Sequence, residues 1–232
     1  MNTVVLTHGW GYGDAVWAPL AARLEARGWT VRHAGLPGFD GRRALPPDGW
    51  HRALAANVPD GALWVAWSLG GRLALRAVAE GQAHPGALCL VGVGLRFVGP
   101  KGQGQPPEAL AAFRAGLADP PRLLRRFAGL VAQGDPARGR LLRYLRGLPP
   151  AASAETLAQG LELLEAPLDL QGFPGALPVH LLQGTEDALV PDPAARALVA
   201  ALPRARLHRL PTGHAPQLSD PETFASLLEA LP

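Results

Sequence analysis

Apolar residues in this chain gather in short runs, and the stretches between those runs have helical spacing. Val4–Thr7, Thr30–Ala34, Ala62–Trp67, Ala87–Val93, Val179–Gln183 and Arg204–Leu210 read as strands, bounded by Gly, Pro and polar turn residues. Between them, Trp17–Arg27 places Leu20 and Leu24 on one helical face, with Gly28 following as a C-cap would. Trp50–Asn57, Arg72–Glu80 and Asp192–Ala201 read as further helices. The pairs Asp192-Pro193 and Asp220-Pro221 fit an N-cap followed by proline at the first helical position. Strands that alternate with helices predict an α/β fold, a mostly parallel sheet with helices on both faces.

The alternation stops between about residues 95 and 169, where the pattern is helical throughout. Breaks fall at Gly99–Pro107, Asp119–Pro121, Gly134–Pro136 and Pro149–Pro150. Over Pro121–Gly134, Leu123, Leu124, Phe127, Leu130 and Val131 share one face. Over Arg138–Leu148, Leu141, Leu142, Leu145 and Leu148 share a face while Arg140, Arg143 and Arg146 stack on another. Ser153 caps a fourth helix that runs through Leu164. The expected organisation is one domain, residues 1–232, with a core of 1–94 and 170–232 and an inserted four-helix lid.

Composition narrows the class. Of 232 residues, 48% are hydrophobic and 18% charged, a balance that excludes a disordered chain. The net charge is only +3, but residues 96–146 carry ten basic residues against Glu108, Asp119 and Asp135, a local +7 beside −4 elsewhere. A basic segment on an acidic body points to an anionic partner met on one side. Cys89 is the only cysteine and lies in an apolar run, which excludes a disulfide scaffold and predicts a core thiol. The first charged residue is Asp14, so the start lacks the basic region of a signal peptide, and no apolar run reaches the roughly 20 residues of a membrane helix. A cytoplasmic monomer without membrane or nucleic-acid partners is expected.

The chemistry gathers at strand ends. Ala66-Trp-Ser68-Leu-Gly70 sits where an apolar strand meets a helix, and it resembles the nucleophile elbow G-x-S-x-G of the α/β-hydrolases, with Ala66 in place of the first glycine. Such an elbow presents the serine hydroxyl above the sheet; an ordinary turn with Ser68 as a helix cap is the plainer alternative. Asp187 follows the fifth strand through Gly184, with Glu186 as its competitor, and His214 lies between the last strand and the last helix. The order Ser68, Asp187, His214 is that of the α/β-hydrolases. His8-Gly-Trp-Gly11 follows the first strand. In that family this loop supplies one backbone N–H of the oxyanion hole and the residue after the nucleophile supplies the other, which implies Trp10 and Leu69. A dinucleotide loop through Gly9-x-Gly11-x-Gly13 is disfavoured because Asp14 stands where the last glycine is required. No metal site and no organic cofactor is implied.

Beyond the triad, the chain resembles the pimeloyl-[acyl-carrier-protein] methyl ester esterases of biotin synthesis. The stretches that carry the likeness are His8-Gly-Trp-Gly11 with Trp17, Leu36-Pro-Gly-Phe39, Trp67-Ser-Leu-Gly-Gly71, Arg126-Phe127, Gly160-Leu-Glu-Leu-Leu164, Leu168-Asp-Leu170, Asp187-x-Leu-Val-Pro191 and His214-Ala-Pro216. The resemblance implies a serine carboxylic-ester hydrolase that frees methanol from an acyl chain tethered to an acidic carrier protein. It assigns carrier docking to Arg122, Arg126 and Arg138, with Arg143 in looser register, and an acyl channel to Phe127, Leu130 and Val131. Val131 stands where the family tends to have Gln, and Asp40-Gly-Arg-Arg43 departs from its usual Gly-Arg-Ser, so substrate identity is the part least carried over. A general short-chain carboxylesterase or thioesterase, and a non-catalytic binding protein on the same scaffold, are the competing readings.

Overall fold

The computed structural model describes residues 3–231. Its centre is a single sheet of six strands: β1 (Thr3–Thr7), β2 (Thr30–His33), β3 (Leu63–Trp67), β4 (Ala87–Val91), β5 (Val179–Gly184) and β6 (Ala205–Leu210). The order is β2-β1-β3-β4-β5-β6 and every pairing is parallel. The expectation of a mostly parallel sheet therefore becomes a wholly parallel one. Side chains alternate faces along a strand. β4 and β5 are buried at every position, so both faces of the sheet centre are covered. The edge strands β2 and β6 are partly exposed, which is where Arg32, Arg206 and Arg209 are tolerated.

Helices α1 (Ala18–Ala26), α2 (Trp50–Ala55) and α3 (Leu69–Ala79) follow the first three strands. Between β4 and β5 come α4 (Pro107–Gly116), α5 (Pro120–Val131), α6 (Arg138–Gly147) and α7 (Ala154–Glu165); α8 (Asp192–Ala201), α9 (Pro216–Ser219) and α10 (Pro221–Glu229) complete the chain. α1 packs on α10, and α2 on α3. The four-helix insertion starts and ends where the apolar pattern changed period. Its entry and exit are tied together by Arg72 of α3, which is buried and donates to Gly94 O and Leu95 O (3.3 Å each) and to Ala166 O (2.5 Å). Burial lowers the Arg72 pKa to about 10.

Most predicted boundaries lie within a residue or two of the observed ones. Ser153 accepts from Thr156 N, and Asp220 accepts from Thr223 N, as capping residues should. Two expectations need correction. Asp192 is not an N-cap: Pro191 occupies that position, and the Asp192 carboxylate instead takes Arg209 from β6 and Arg196 one turn on. Two guanidinium partners outcompete a single backbone amide for the same oxygens. Helix α3 starts at Leu69 rather than Arg72, directly after Ser68, because Gly70 and Gly71 pack into the turn instead of breaking it. Cys89 is fully buried, and burial pushes its thiol up, as a core role requires.

Candidate active site

In an open parallel sheet, ligands bind beyond the carboxyl ends of the strands, at the point where successive connections leave in opposite directions. Here that point lies between β1 and β3, because β2 was added on one side of β1 and β3 to β6 on the other. The loop after β1 carries Trp10, and the turn after β3 carries Ser68.

Ser68 has φ +54° and ψ −118°, a backbone region that non-glycine residues avoid. Holding it costs about 1–3 kcal/mol and is paid by the surrounding packing. Ser68 N donates to Val91 O at the end of β4 (2.9 Å), and Gly71 N and Arg72 N return to Ser68 O. The turn has no room for larger neighbours. A Cβ on Gly70 would meet His8 O at 2.4 Å, a backbone atom that cannot yield. Ser68 caps nothing with its side chain, so the plain helix-cap reading fails. Its Oγ makes no hydrogen bond among the described residues.

His214 is fully buried, and its Nδ1 stands 2.8 Å from Asp187 Oδ2. The same carboxylate accepts from Gln183 Nε2 (3.0 Å), Leu189 N (2.8 Å) and Val190 N (2.9 Å). With donors around both of its oxygens, Asp187 presents His214 with an acceptor, so the imidazole proton sits on Nδ1. Nε2, buried and without a partner, is left with its lone pair. Glu186, the competitor from the sequence, is exposed and plays no part in this contact. The imidazole is seated over Gly92, where a Cβ would meet the ring at 2.9 Å and where φ is +57°. Ser68 and His214 thus both abut the Val91–Gly92 corner. Trp67 joins them from the other side: its indole N–H donates to His214 O (2.9 Å), and its ring lies 5.6 Å from the imidazole. His214 Nε2 makes no hydrogen bond to Ser68 Oγ among the described residues.

The loop after β1 is held by two side chains. His8 is buried and kept neutral, its pKa lowered chiefly by burial; its Nε2 accepts from Leu36 N (3.1 Å), and Nδ1 faces Gly9 O at 2.9 Å. Trp10 donates its indole N–H to Leu157 O of α7 (2.8 Å) and meets Phe113 of α4 and Phe127 of α5 edge-on at 5.6 and 4.9 Å. Neither the Trp10 nor the Leu69 backbone N–H donates to a protein acceptor among the described residues.

Phe127 and Val131 are buried and Leu130 half-buried. Phe127 packs on Trp10 and Tyr12, and Val131 O accepts from His214 N (3.2 Å). Arg122, Arg126, Arg138 and Arg143 are all exposed and have no ion-pair partner among the described residues. One residue carried no signal in the sequence. Asp135, buried in the turn between α5 and α6, accepts from Gly213 N (3.1 Å) with one oxygen, and from Ser219 Oγ (2.9 Å) and Ala137 N (2.7 Å) with the other. It ties the insertion to the residue just before His214. Three side chains, His8, Asp14 and Asp40, place ligand-type atoms within 4.8 Å of one another, but Arg42 already bridges both carboxylates and both His8 nitrogens are engaged.

Comparison with known proteins places this arrangement. The profile described as the alpha/beta hydrolase family matches residues 4–227. The chain is 39% identical to a pimeloyl-[acyl-carrier protein] methyl ester esterase of Aromatoleum aromaticum, over 97% of this chain and 96% of that one. Proteins of the same name from Chromobacterium violaceum and Nitrosomonas europaea are 35% and 33% identical, over 97% and 98% of this chain and 92% and 94% of theirs. Among solved structures, an esterase from Exiguobacterium antarcticum superposes with a TM-score of 0.81 at 19% identity, covering 99% of this chain and 91% of that one. A bromoperoxidase from Bacillus anthracis does so equally well at 18% identity, a likeness of fold alone. With its strand order, its elbow after β3 and the match across nearly all of its length, the chain belongs to the alpha/beta hydrolase family, and it is an esterase of that family.

Proposed function

We propose that Ser68, His214 and Asp187 form a catalytic triad that hydrolyses the methyl ester of a pimeloyl chain carried on acyl carrier protein, releasing methanol in biotin synthesis. The observation that carries this reading is the His214 imidazole, with Nδ1 engaged by Asp187 and Nε2 left unpartnered beside the strained Ser68 elbow. Nε2 takes the Ser68 proton as Oγ attacks the ester carbonyl. The N–H groups of Trp10 and Leu69 receive the oxyanion that forms on the carbonyl oxygen. The tetrahedral adduct collapses, and methanol leaves with the proton from Nε2. Water, deprotonated by the same nitrogen, then frees the carrier-bound acid and restores Ser68. Throughout, Asp187 holds the ring orientation and offsets the imidazolium charge.

The insertion α4–α7 acts as the lid, with Phe127, Leu130 and Val131 along the acyl path. Arg122, Arg126, Arg138 and Arg143 receive the acidic carrier, since guanidinium groups free of ion pairs keep their full capacity for carboxylates and phosphates. The names of the relatives support the carrier-borne ester as substrate.

A serine-directed fluorophosphonate should label the wild-type chain and leave Ser68→Ala untouched; an unlabelled, folded wild type points to a binding protein instead. Arg122→Glu with Arg126→Glu should slow hydrolysis of methyl pimeloyl-carrier about 10-fold or more at low salt, and much less at high salt. The free methyl ester should be unaffected. Equal losses on both substrates, or a preference for a p-nitrophenyl ester over the carrier-bound one, would return the protein to the general short-chain esterases.

A further inference from the structure

Glycine is unfavourable inside a helix, because it loses more backbone freedom than any other residue and brings no side chain to pack. Gly160 nevertheless sits buried in the middle of α7. The reason is what lies against it. A Cβ there would meet Trp10 Cδ1 at 2.6 Å, Trp10 Nε1 at 3.1 Å and Leu69 Cδ2 at 3.3 Å. Trp10 and Leu69 come from the ends of different strands, and the backbone N–H of neither donates to a protein acceptor among the described residues. The indole has little freedom to step aside. Its N–H donates to Leu157 O, three residues before Gly160 on the same helix (2.8 Å), and Phe113 and Phe127 stand edge-on to it at 5.6 and 4.9 Å. The backbone that carries the indole is tight as well. A Cβ on Gly9 would meet Ser68 Cβ at 3.1 Å, and one on Gly11, where φ is +81°, would meet Leu124 Cδ2 at 3.0 Å. Leu69 is fully buried at the start of α3. A push on the indole is therefore passed to its own peptide group.

We infer that Gly160 is a positioning residue for the oxyanion hole. By omitting a side chain it lets α7 seat the Trp10 indole and the Leu69 side chain together, which sets where their two N–H groups point relative to Ser68. The helical insertion then completes the catalytic machinery rather than only covering it. Ordinary carbon contacts lie at about 3.5–4.0 Å, so a methyl group at position 160 would drive the ring back by about an ångström. Donors aimed at a developing oxyanion tolerate little displacement, and loss of a single donor costs about 100- to 1000-fold in rate. The inference rests on the reading of Ser68 as nucleophile with Trp10 and Leu69 as donors, and it deepens that reading.

The test is Gly160→Ala in the full chain, with Gly129→Ala as its control. Gly129 lies within α5, and nothing stands within 4 Å of where its Cβ would be. Both substitutions favour the helix, so both variants should fold, with Tm no more than about 5 °C below the wild type. For Gly160→Ala, kcat on p-nitrophenyl butyrate should fall about 10-fold or more with KM within about threefold. Gly129→Ala should stay within about twofold on both. Affinity for a propyl trifluoromethyl ketone, whose hemiketal with Ser68 places an oxyanion between the same donors, should fall in parallel with kcat/KM. p-Nitrophenyl acetate should lose as much as the butyrate, because a displaced donor is felt at any acyl length, whereas a narrowed acyl path spares the shorter ester. The apparent pKa of kcat/KM, set by His214, should not move. Unchanged kcat, a loss confined to KM or growing with acyl length, a ketone affinity that survives, a shifted pH profile or a larger drop in Tm would each overturn the inference. Failure of the underlying reading looks different. A folded wild type that resists the fluorophosphonate, or Ser68→Ala that stays active, removes the triad itself, whereas a labelled wild type with an unimpaired Gly160→Ala removes only this role.

Discussion

Asp135 shows how much one side chain can decide. Its two oxygens hold Gly213 N, Ser219 Oγ and Ala137 N, and His214 N reaches Val131 O a few residues upstream. Asp135→Asn keeps the shape but turns an amide N–H₂ toward one of those donors. A displacement of the His214 loop by about an ångström costs on the order of 100-fold when it misaligns a base. Asp135→Asn should therefore lower kcat by about 10- to 100-fold with KM within about threefold, measured on a soluble ester, and slow fluorophosphonate labelling in parallel. Unchanged kcat with a lowered Tm would reduce Asp135 to a structural tie. Nothing in the sequence marks this residue, because the two partners that tie it to the His214 loop, Gly213 and Ser219, lie 78 and 84 residues away. Ser68, by contrast, was legible at once: its neighbours Ala66, Gly70 and Gly71 are small at a spacing the sequence displays, although the atoms that exclude a larger side chain at Gly70 belong to Thr7 and His8.

At the scale of elements, the insertion α4–α7 is held by few but specific contacts. Trp10 is gripped by α4, α5 and α7, and Arg72 binds the carbonyls at both ends of the insertion. A buried guanidinium with three backbone acceptors is costly to remove, since truncation leaves those carbonyls unpaired. Arg72→Met should lower unfolding stability by about 2–4 kcal/mol in urea denaturation. It should also raise protease sensitivity between residues 95 and 170 before the sheet unfolds. Periodicity located these helices well, because each buries one face, as Leu123, Phe127 and Val131 do in α5. It misread Asp192, whose partners Arg196 and Arg209 lie on another turn and another strand. Local rules for capping hold only while no stronger donor competes for the same carboxylate.

The whole molecule carries a pH dependence that arises from burial. His8, His180 and His208 each have a pKa lowered from the ordinary 6.5, first by desolvation. His180 Nδ1 faces His208 Nε2 at 3.1 Å, and the Arg206 charge disfavours a proton on either ring. A base whose folded pKa is depressed binds fewer protons folded than unfolded below pH 6.5, so stability rises with pH across that window. The urea midpoint should be flat above about pH 7.5 and fall steadily from pH 6.5 toward pH 5. His180→Gln with His208→Gln should flatten the fall, and an unchanged slope would remove this pair as its source. The charge asymmetry visible in the sequence reappears in the pairing: among the described residues none of the seven arginines of α5 and α6 is in an ion pair, whereas eight of the other fourteen are.

Pattern and spacing alone pointed to the alternating α/β architecture, the interruption by four helices and the likeness to the family, and singled out Ser68, Asp187 and His214 as the candidate triad. Each of those features depends on what a residue and its near neighbours can do: alternate faces, complete a turn, cap a helix, or fit a tight elbow. Only the tertiary structure decided which nitrogen of His214 is left free, that Asp135 and Arg72 hold the insertion in place, and that Gly160 leaves room for both Trp10 and Leu69. These are meetings of atoms far apart along the chain, arranged by how the helices pack over the strand ends, and no local preference encodes them.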